Sequence, residues 1–174
     1  NRHLLDSKFG FLTTNRIYTN EKGARIRLSE HPTGEIHLKD VFFGNTVDIS
    51  MFCKRQHLIN IDGFDENMNA LEDWDLVIRL LAGSAGYRIN SHDLLVFEHS
   101  LGERVSNNQA GQRLYIAKKY KNLLGDTWYS KMLSRVNYQS GKLGLVEGVS
   151  LAFSGNSILP ILLFIKLLLK KILR

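Results

Sequence analysis

The chain has 174 residues, of which 44% are hydrophobic, with 23 Lys and Arg against 17 Asp and Glu. This length and composition allow one sizeable core with an appendage. The single cysteine, Cys53, excludes an internal disulfide and fits a reducing compartment.

The charge is unevenly distributed along the chain. Residues 1–112 carry 12 Lys and Arg and 15 Asp and Glu, whereas residues 113–174 carry 11 and 2. A slightly acidic body is therefore followed by a basic tail. Such a tail is typical of chains that contact an anionic surface.

The first half of the chain predicts short β segments separated by turns. Asn20 to Gly23 reads as a turn that closes with glycine, and Cys53 ends an apolar segment as a buried structural thiol. His31 and His37 have no third ligand within range, so surface histidines are favoured over a metal site. The predicted β segments are residues 9–14, 16–19, 24–28, 46–53, 87–89 and 94–97.

The stretch from residue 61 to residue 80 contains six acidic side chains ahead of an apolar run. Asn69 followed three positions later by Glu72 predicts a helix N-terminus with a capping box. Acids at such a position are stabilised by the helix dipole without any chemistry. The nearly continuous apolar sequence that follows predicts a buried helix, which would hold a carboxylate rigidly enough to act as a general base.

The last part of the chain predicts helices. Residues 112–124 and 128–136 have helical patterns, and in residues 158–174 Lys166, Lys170 and Arg174 recur every four positions among apolar residues. The continuous apolar part of this tail is too short to span a bilayer. We expect residues 158–174 to form an amphipathic helix on a membrane surface, with docking on the core or on a partner subunit as the alternative. The tail has no nucleic-acid-binding motif.

The central stretch resembles family 2 glycosyltransferases of the GT-A fold. The resemblance rests on Phe52-Cys53-Lys54-Arg55, on Ile61-Asp62-Gly63-Phe64-Asp65-Glu66, and on Glu72-Asp73-Trp74-Asp75-Leu76 with Arg79-Leu80. Asp62 stands where the family has the first glycine of a Gly-Gly-Phe-Asp-Glu-like turn. The fold that this implies is α/β, a partial GT-A mixed sheet with flanking helices, followed by the C-terminal amphipathic helix. The resemblance covers about residues 8–105 and implies an acceptor-side half over residues 1–110. The residue patterns outside it predict a helical extension over 111–152 and a membrane-surface helix over 153–174.

The resemblance also implies roles for individual residues. Asp73, or Glu72 beside it, would be the general base that deprotonates an acceptor hydroxyl. Trp74 and Asp75 would contact the acceptor, although a core tryptophan and an ion pair between Asp75 and Arg79 are the alternatives. His99 would lie near the donor diphosphate or its metal.

The family's donor-binding half, with its Asp-x-Asp metal motif, does not precede residue 62. Asp73-Trp74-Asp75 has that spelling but lies on the acceptor-side helix, so no metal role is carried over to it. We therefore expect a fragment or processed piece of an enzyme whose divalent metal, Mg or Mn, is bound mostly outside this chain. The sequence Gln109-Ala110-Gly111-Gln112-Arg113-Leu114 departs from the Gln-x-x-Arg-Trp motif of processive members, which implies transfer of single sugars.

The expected activity is inverting, non-processive transfer from a nucleotide-diphosphate sugar to a lipid-linked or surface-glycan acceptor. The expected location is cytoplasmic, peripheral at the inner face of the membrane. Two alternatives stay open: a non-catalytic membrane-associated or oligomerisation module, and a metal-dependent hydrolase that uses the acids between residues 62 and 75.

Overall fold

A computed structural model of the chain describes residues 9–47, 50–98, 109–155 and 157–172. The chain divides into two compact units, Asn1–Arg104 and Val105–Arg174. Among the described residues the first unit is mixed α/β, and the second contains only helices and their connections. The predicted α/β class, with a mixed sheet and flanking helices, is confirmed for the first unit.

The first unit is built on a five-stranded mixed sheet. Strand β1 pairs in parallel with β5 along its length, and the opposite edge of β1 pairs antiparallel with β2 and β4. Strand β3 pairs antiparallel with β5 at the far edge. The strands are β1 (Phe9–Thr19), β2 (Arg25–Leu28), β3 (Gly34–Ile36), β4 (Met51–Cys53) and β5 (Ala85–Phe97).

Two pairs of predicted β segments are each a single strand. Residues 9–14 and 16–19 join in β1, and residues 87–89 and 94–97 join in β5. The register between β1 and β5 shifts on both sides of Asn15. Such irregularities bend a strand without ending it, which explains why the polar interruptions in the sequence do not separate the segments.

The predicted strand over residues 46–53 is confirmed only for its last three residues, Met51–Cys53. Thr46 and Val47 lie in a bend, and residues 48 and 49 lie outside the described part of the chain. Cys53 is half-buried rather than buried. Burial raises the pKa of its thiol, which agrees with a structural role.

Helices α1 (Arg55–Asn60) and α2 (Glu72–Gly83) follow β4, and α2 leads into β5. The predicted burial of α2 is confirmed, since Trp74 to Ile78 and Leu80 to Leu81 are all buried. The predicted capping box at Asn69 and Glu72 is wrong. The residue that precedes the helix is Leu71, in a left-handed conformation with φ of 64°, and no side chain caps the helix. The chain therefore enters α2 through a backbone turn, and Asn69 stays exposed.

The described part of the second unit consists of helices α3 (Ala110–Lys119), α4 (Lys121–Gln139), α5 (Leu145–Ser154) and α6 (Leu159–Ile172). The helix predicted over residues 112–124 is interrupted at Tyr120, where α3 ends. The second helix, predicted over residues 128–136, is confirmed within α4, which has a kink at Gly125 with φ of 82°. No helix in the described ranges is long and apolar enough to cross a membrane.

Candidate functional site

The acidic turn ahead of α2 has a defined backbone geometry. Asp62 and Gly63 both have positive φ, of 60° and 64°. Their N–H groups donate to the carbonyls of Ile59 and Leu58 at the end of α1, at 3.1 and 2.9 Å. Two glycines would adopt this left-handed backbone conformation most easily. Aspartate at position 62 can also adopt it, because its short polar side chain can form local hydrogen bonds.

Asp75 forms a buried ion pair in the core of the first unit. Its side chain is fully buried, and Arg79 one turn later donates from Nε to Oδ2 at 2.8 Å. The same guanidinium donates from Nη1 to the carbonyl of Ile61. This bond connects helix α2 to Ile61, the residue that directly follows α1. The predicted ion pair between Asp75 and Arg79 is confirmed, and burial leaves Asp75 no surface with which to contact an acceptor.

Trp74 is also a core residue. Its side chain is fully buried, and its indole Nε1–H donates to the carbonyl of Val41 at 2.7 Å. Val41 ends a short 3-10 helix, Leu38–Val41, and is itself fully buried. The ring presents no face to a ligand in this structure, so its burial supports the core alternative over the acceptor-binding role.

Asp73 differs from Trp74 and Asp75 because it is only half-buried. Its Oδ2 accepts a hydrogen bond from Asn45 Nδ2 at 3.0 Å, and its Oδ1 accepts one from the Trp74 N–H at 2.7 Å. Asn45 is held in turn, because its Oδ1 accepts the N–H of Val47 at 3.0 Å. Each carboxylate oxygen keeps further acceptor capacity. The result is a fixed carboxylate that solvent or a ligand can reach.

Glu72 is half-buried and directly precedes Asp73 at the start of α2. The structure therefore brings the two predicted base candidates to one helix start. His99 lies outside the described residues.

Sequence reasoning missed the partners of this helix start. Asn45 directly precedes the predicted β segment 46–53, which gives no sign that its side chain fixes Asp73. The next residue, Thr46, has a carbonyl that accepts from Arg16 Nη2 at 3.1 Å and from Arg88 Nη2 at 2.8 Å. The only signal in the sequence for these arginines is a charged residue inside each apolar β segment.

Two of the pockets that the described residues of the first unit line include Arg79 or Arg88 in their walls. One, of about 200 Å³, is lined by residues of α1 and α2, among them His57, Asn60 and Arg79. The other, of about 260 Å³, lies beside Thr46 and is lined by His31, Pro32, Glu35, Ile36, Asp40, Thr46 and Arg88.

The described residues do not fit a divalent metal. They contain no group of three or more His, Cys, Asp or Glu placed to hold one. His37 Nε2 lies 3.4 Å from Glu35 Oε2, and both side chains are exposed. By itself this pair supplies only two of the ligands that a metal site would need. The expected Mg or Mn stays a prediction, and its ligands would lie outside these residues.

Comparison with known proteins gives no match. No protein-family model, no curated protein and no solved structure matches this chain significantly.

Proposed function

We propose that the first unit is the acceptor-side half of an inverting glycosyltransferase that resembles family 2, with a partial GT-A fold. The observation that carries the proposal is the fixed, half-exposed carboxylate of Asp73, which Asn45 holds at the start of a buried helix. The Gly-Phe-Asp-Glu turn that precedes it supports the same assignment. General-base catalysis requires a carboxylate that is rigid and accessible at once.

The proposed step is a single displacement. The acceptor hydroxyl gives its proton to an oxygen of Asp73, and its own oxygen forms a bond to the anomeric carbon of the donor sugar. The bond from that carbon to the nucleotide diphosphate breaks, and the diphosphate leaves with the electron pair. Attack opposite to the leaving group inverts the anomeric configuration. Glu72 is the second candidate for the base.

The test is sugar transfer by the full-length parent enzyme with UDP- and dTDP-sugar donors. Asp73→Asn keeps an acceptor for the Asn45 amide but removes the base, so we expect the rate to fall by about 10²- to 10⁴-fold. Asp62→Asn is the matched control, because the same change is made at an exposed carboxylate. Parental rates in Asp73→Asn and in Glu72→Gln would reject the base assignment. Absence of sugar transfer by the unchanged parent would favour the alternative of a non-catalytic module.

We further propose that the second unit binds an anionic membrane surface through α6. Five apolar side chains spaced by four, three, four and three residues are each between 45% and 69% exposed. This spacing places them on one helical face. These residues are Ile158, Leu162, Ile165, Leu169 and Ile172. An outward apolar face on a helix is typical of an interfacial membrane helix.

Charge favours lipid over a second copy of the chain. Lys166, Lys170 and Lys171 are exposed on α6, and the sequence contains no Asp or Glu after Glu147. Two copies packed through this face would bring lysines together with no carboxylate to pair them. Anionic headgroups supply the missing negative charge, at about 1 kcal/mol for each lysine near the surface.

The membrane proposal is tested by co-sedimentation with phosphatidylcholine vesicles, with and without 30% phosphatidylglycerol. The double change Lys170→Glu and Lys171→Glu should weaken binding to the anionic vesicles by at least about tenfold. Lys118→Glu, at an exposed lysine of α3, is the control. Equal binding to both kinds of vesicle would contradict the electrostatic part of the proposal, and association into dimers without vesicles would favour the docked-helix alternative.

A further inference from the structure

The pocket of about 260 Å³ beside Thr46 has a buried guanidinium in its wall. Arg88 lies on β5 and is only 4% exposed. It donates from Nη2 to the carbonyl of Thr46 at 2.8 Å and from Nη1 to the carbonyl of Pro32 at 3.4 Å. Its buried Nε has no hydrogen-bond partner in the described structure. Both established partners are neutral carbonyls, so the positive charge of Arg88 is not neutralised by them.

The ion pairs found among residues 9–47, 50–98, 109–155 and 157–172 do not include Arg88. Buried arginines are normally paired with an anion, because an uncompensated charge in the interior is costly. Burial and the neighbouring Arg16 lower the pKa of Arg88, while Asp40 opposes this effect. A guanidinium stays protonated at neutral pH despite such shifts. The pocket wall therefore holds a permanent positive charge.

Arg16 adds a second positive charge to the same place. It is 6% exposed, and its Nη2 donates to the carbonyl of Thr46, which also accepts from Arg88. The Nη2 atoms of the two arginines thus meet at a single carbonyl oxygen. His31, which also lines the pocket, has its pKa lowered by burial and then by Arg88 and Arg16. The pKa of His31 is therefore sensitive to the positive charges beside the pocket.

The pocket also contains two carboxylates, Glu35 and Asp40, but both are exposed. Asp40 Oδ2 accepts the backbone N–H of His37 at 2.8 Å, and Glu35 lies 3.4 Å from the His37 ring. Water and salt screen the charges of exposed side chains more than those of buried side chains. The buried arginines therefore dominate the inner part of the pocket, and the carboxylates lie where hydroxyl groups of a ligand could donate to them.

We propose that this pocket binds an oxyanion, a phosphate or carboxylate group carried by a small ligand, through Arg88 with support from Arg16. Its volume is below the roughly 300–1,000 Å³ of sites for drug-sized ligands, so it fits one anionic group with a small substituent. Asn45, which fixes the Asp73 carboxylate, directly precedes Thr46. The anion site therefore lies one residue along the chain from the segment that holds the proposed base.

The test uses the 174-residue chain with inorganic phosphate as the probe. The C2–H NMR signal of His31 is followed against pH in chloride and in phosphate at equal ionic strength. A bound oxyanion opposes the field of the arginines, so phosphate should raise the pKa of His31. The signal of His57, which lines the other pocket, is the control. An identical His31 titration in chloride and in phosphate would overturn the proposal.

A second arm measures affinity by calorimetry for phosphate, acetate and UDP. Arg88→Met removes the charge with little change of volume and should weaken binding by at least about tenfold, whereas Arg25→Met, at an exposed arginine of β2, should change it by less than about twofold. Equal losses in the two variants would overturn the proposal. If Arg88→Met does not fold, the His31 titration of the unchanged chain decides alone.

The three probes distinguish the source of the anion. Tighter binding of UDP than of phosphate indicates a nucleotide, and tighter binding of acetate indicates a carboxylate ligand. Both results support the site. The phosphate titration involves no sugar transfer, so its failure and the failure of the proposed function are separate results.

Discussion

Asp73 and Asp75 lie two residues apart on α2, and the structure predicts opposite consequences when each is changed to asparagine. Asp75 is fully buried, and its Oδ2 accepts a hydrogen bond from Arg79 Nε and lies within ion-pair distance of Arg79 Nη2, both at 2.8 Å. Asp75→Asn leaves the Arg79 cation without its counter-ion. Breaking a fully buried pair costs about 3–5 kcal/mol, and the 19% exposure of the Arg79 side chain reduces this to about 2–4 kcal/mol.

Asp73→Asn should cost about 1 kcal/mol, because the amide keeps one acceptor oxygen and loses only one of the two hydrogen bonds from Asn45 and Trp74, at a position that water reaches. Asp75→Asn should therefore unfold the first unit at clearly lower denaturant concentration, while Asp73→Asn should not. The proposed base and the structural acid are thus separable by stability alone.

The assay is urea unfolding followed by tryptophan fluorescence in a Trp128→Phe background, where Trp74 alone reports on the first unit. At an m-value of about 1.5 kcal/mol/M, a loss of about 3 kcal/mol lowers the midpoint by about 2 M. A shift for Asp73→Asn equal to or larger than that for Asp75→Asn would refute the reasoning, because it would make Asp73 the structural acid.

Two further predictions concern packing and reactivity. A Cβ atom at Gly86 would lie 2.3–2.8 Å from three ring carbons of the fully buried Phe11, so Gly86→Ala should destabilise the first unit by about 1–3 kcal/mol in the same urea assay. Gly83→Ala, where a Cβ meets nothing within 4 Å at the end of α2, should be neutral or stabilising by up to about 1 kcal/mol. Burial raises the pKa of Cys53, so less thiolate is present at pH 8 than in a free thiol. Its alkylation by iodoacetamide should therefore be slower than that of free cysteine, and a faster reaction would show that the thiol is not shielded.

The sequence predicted the elements whose signals are local. Helix α2 follows from a nearly continuous apolar run, and its burial from residue 74 to residue 81 agrees with that pattern. The capping box failed because Asn69 and Glu72 have the right spacing, while the backbone at Leu71 turns into the left-handed region before the helix starts. A spacing pattern cannot show which residue will adopt that conformation, since for leucine it costs roughly 1–2 kcal/mol and must be offset by packing elsewhere.

The proposed anion site could not be predicted from any local pattern, because Arg16 and Arg88 are 72 positions apart in the sequence. Arg16 lies on β1 and Arg88 on β5, and these strands are neighbours because they pair in parallel. Parallel pairing requires a crossover connection, which here passes through α2. The same crossover places the start of α2 against Asn45. Two consecutive residues therefore contact both candidate sites. The side chain of Asn45 donates to the Asp73 carboxylate, and the carbonyl of Thr46 accepts from Arg16 and from Arg88. An anion that binds these guanidinium groups acts on the same short segment that positions the proposed base.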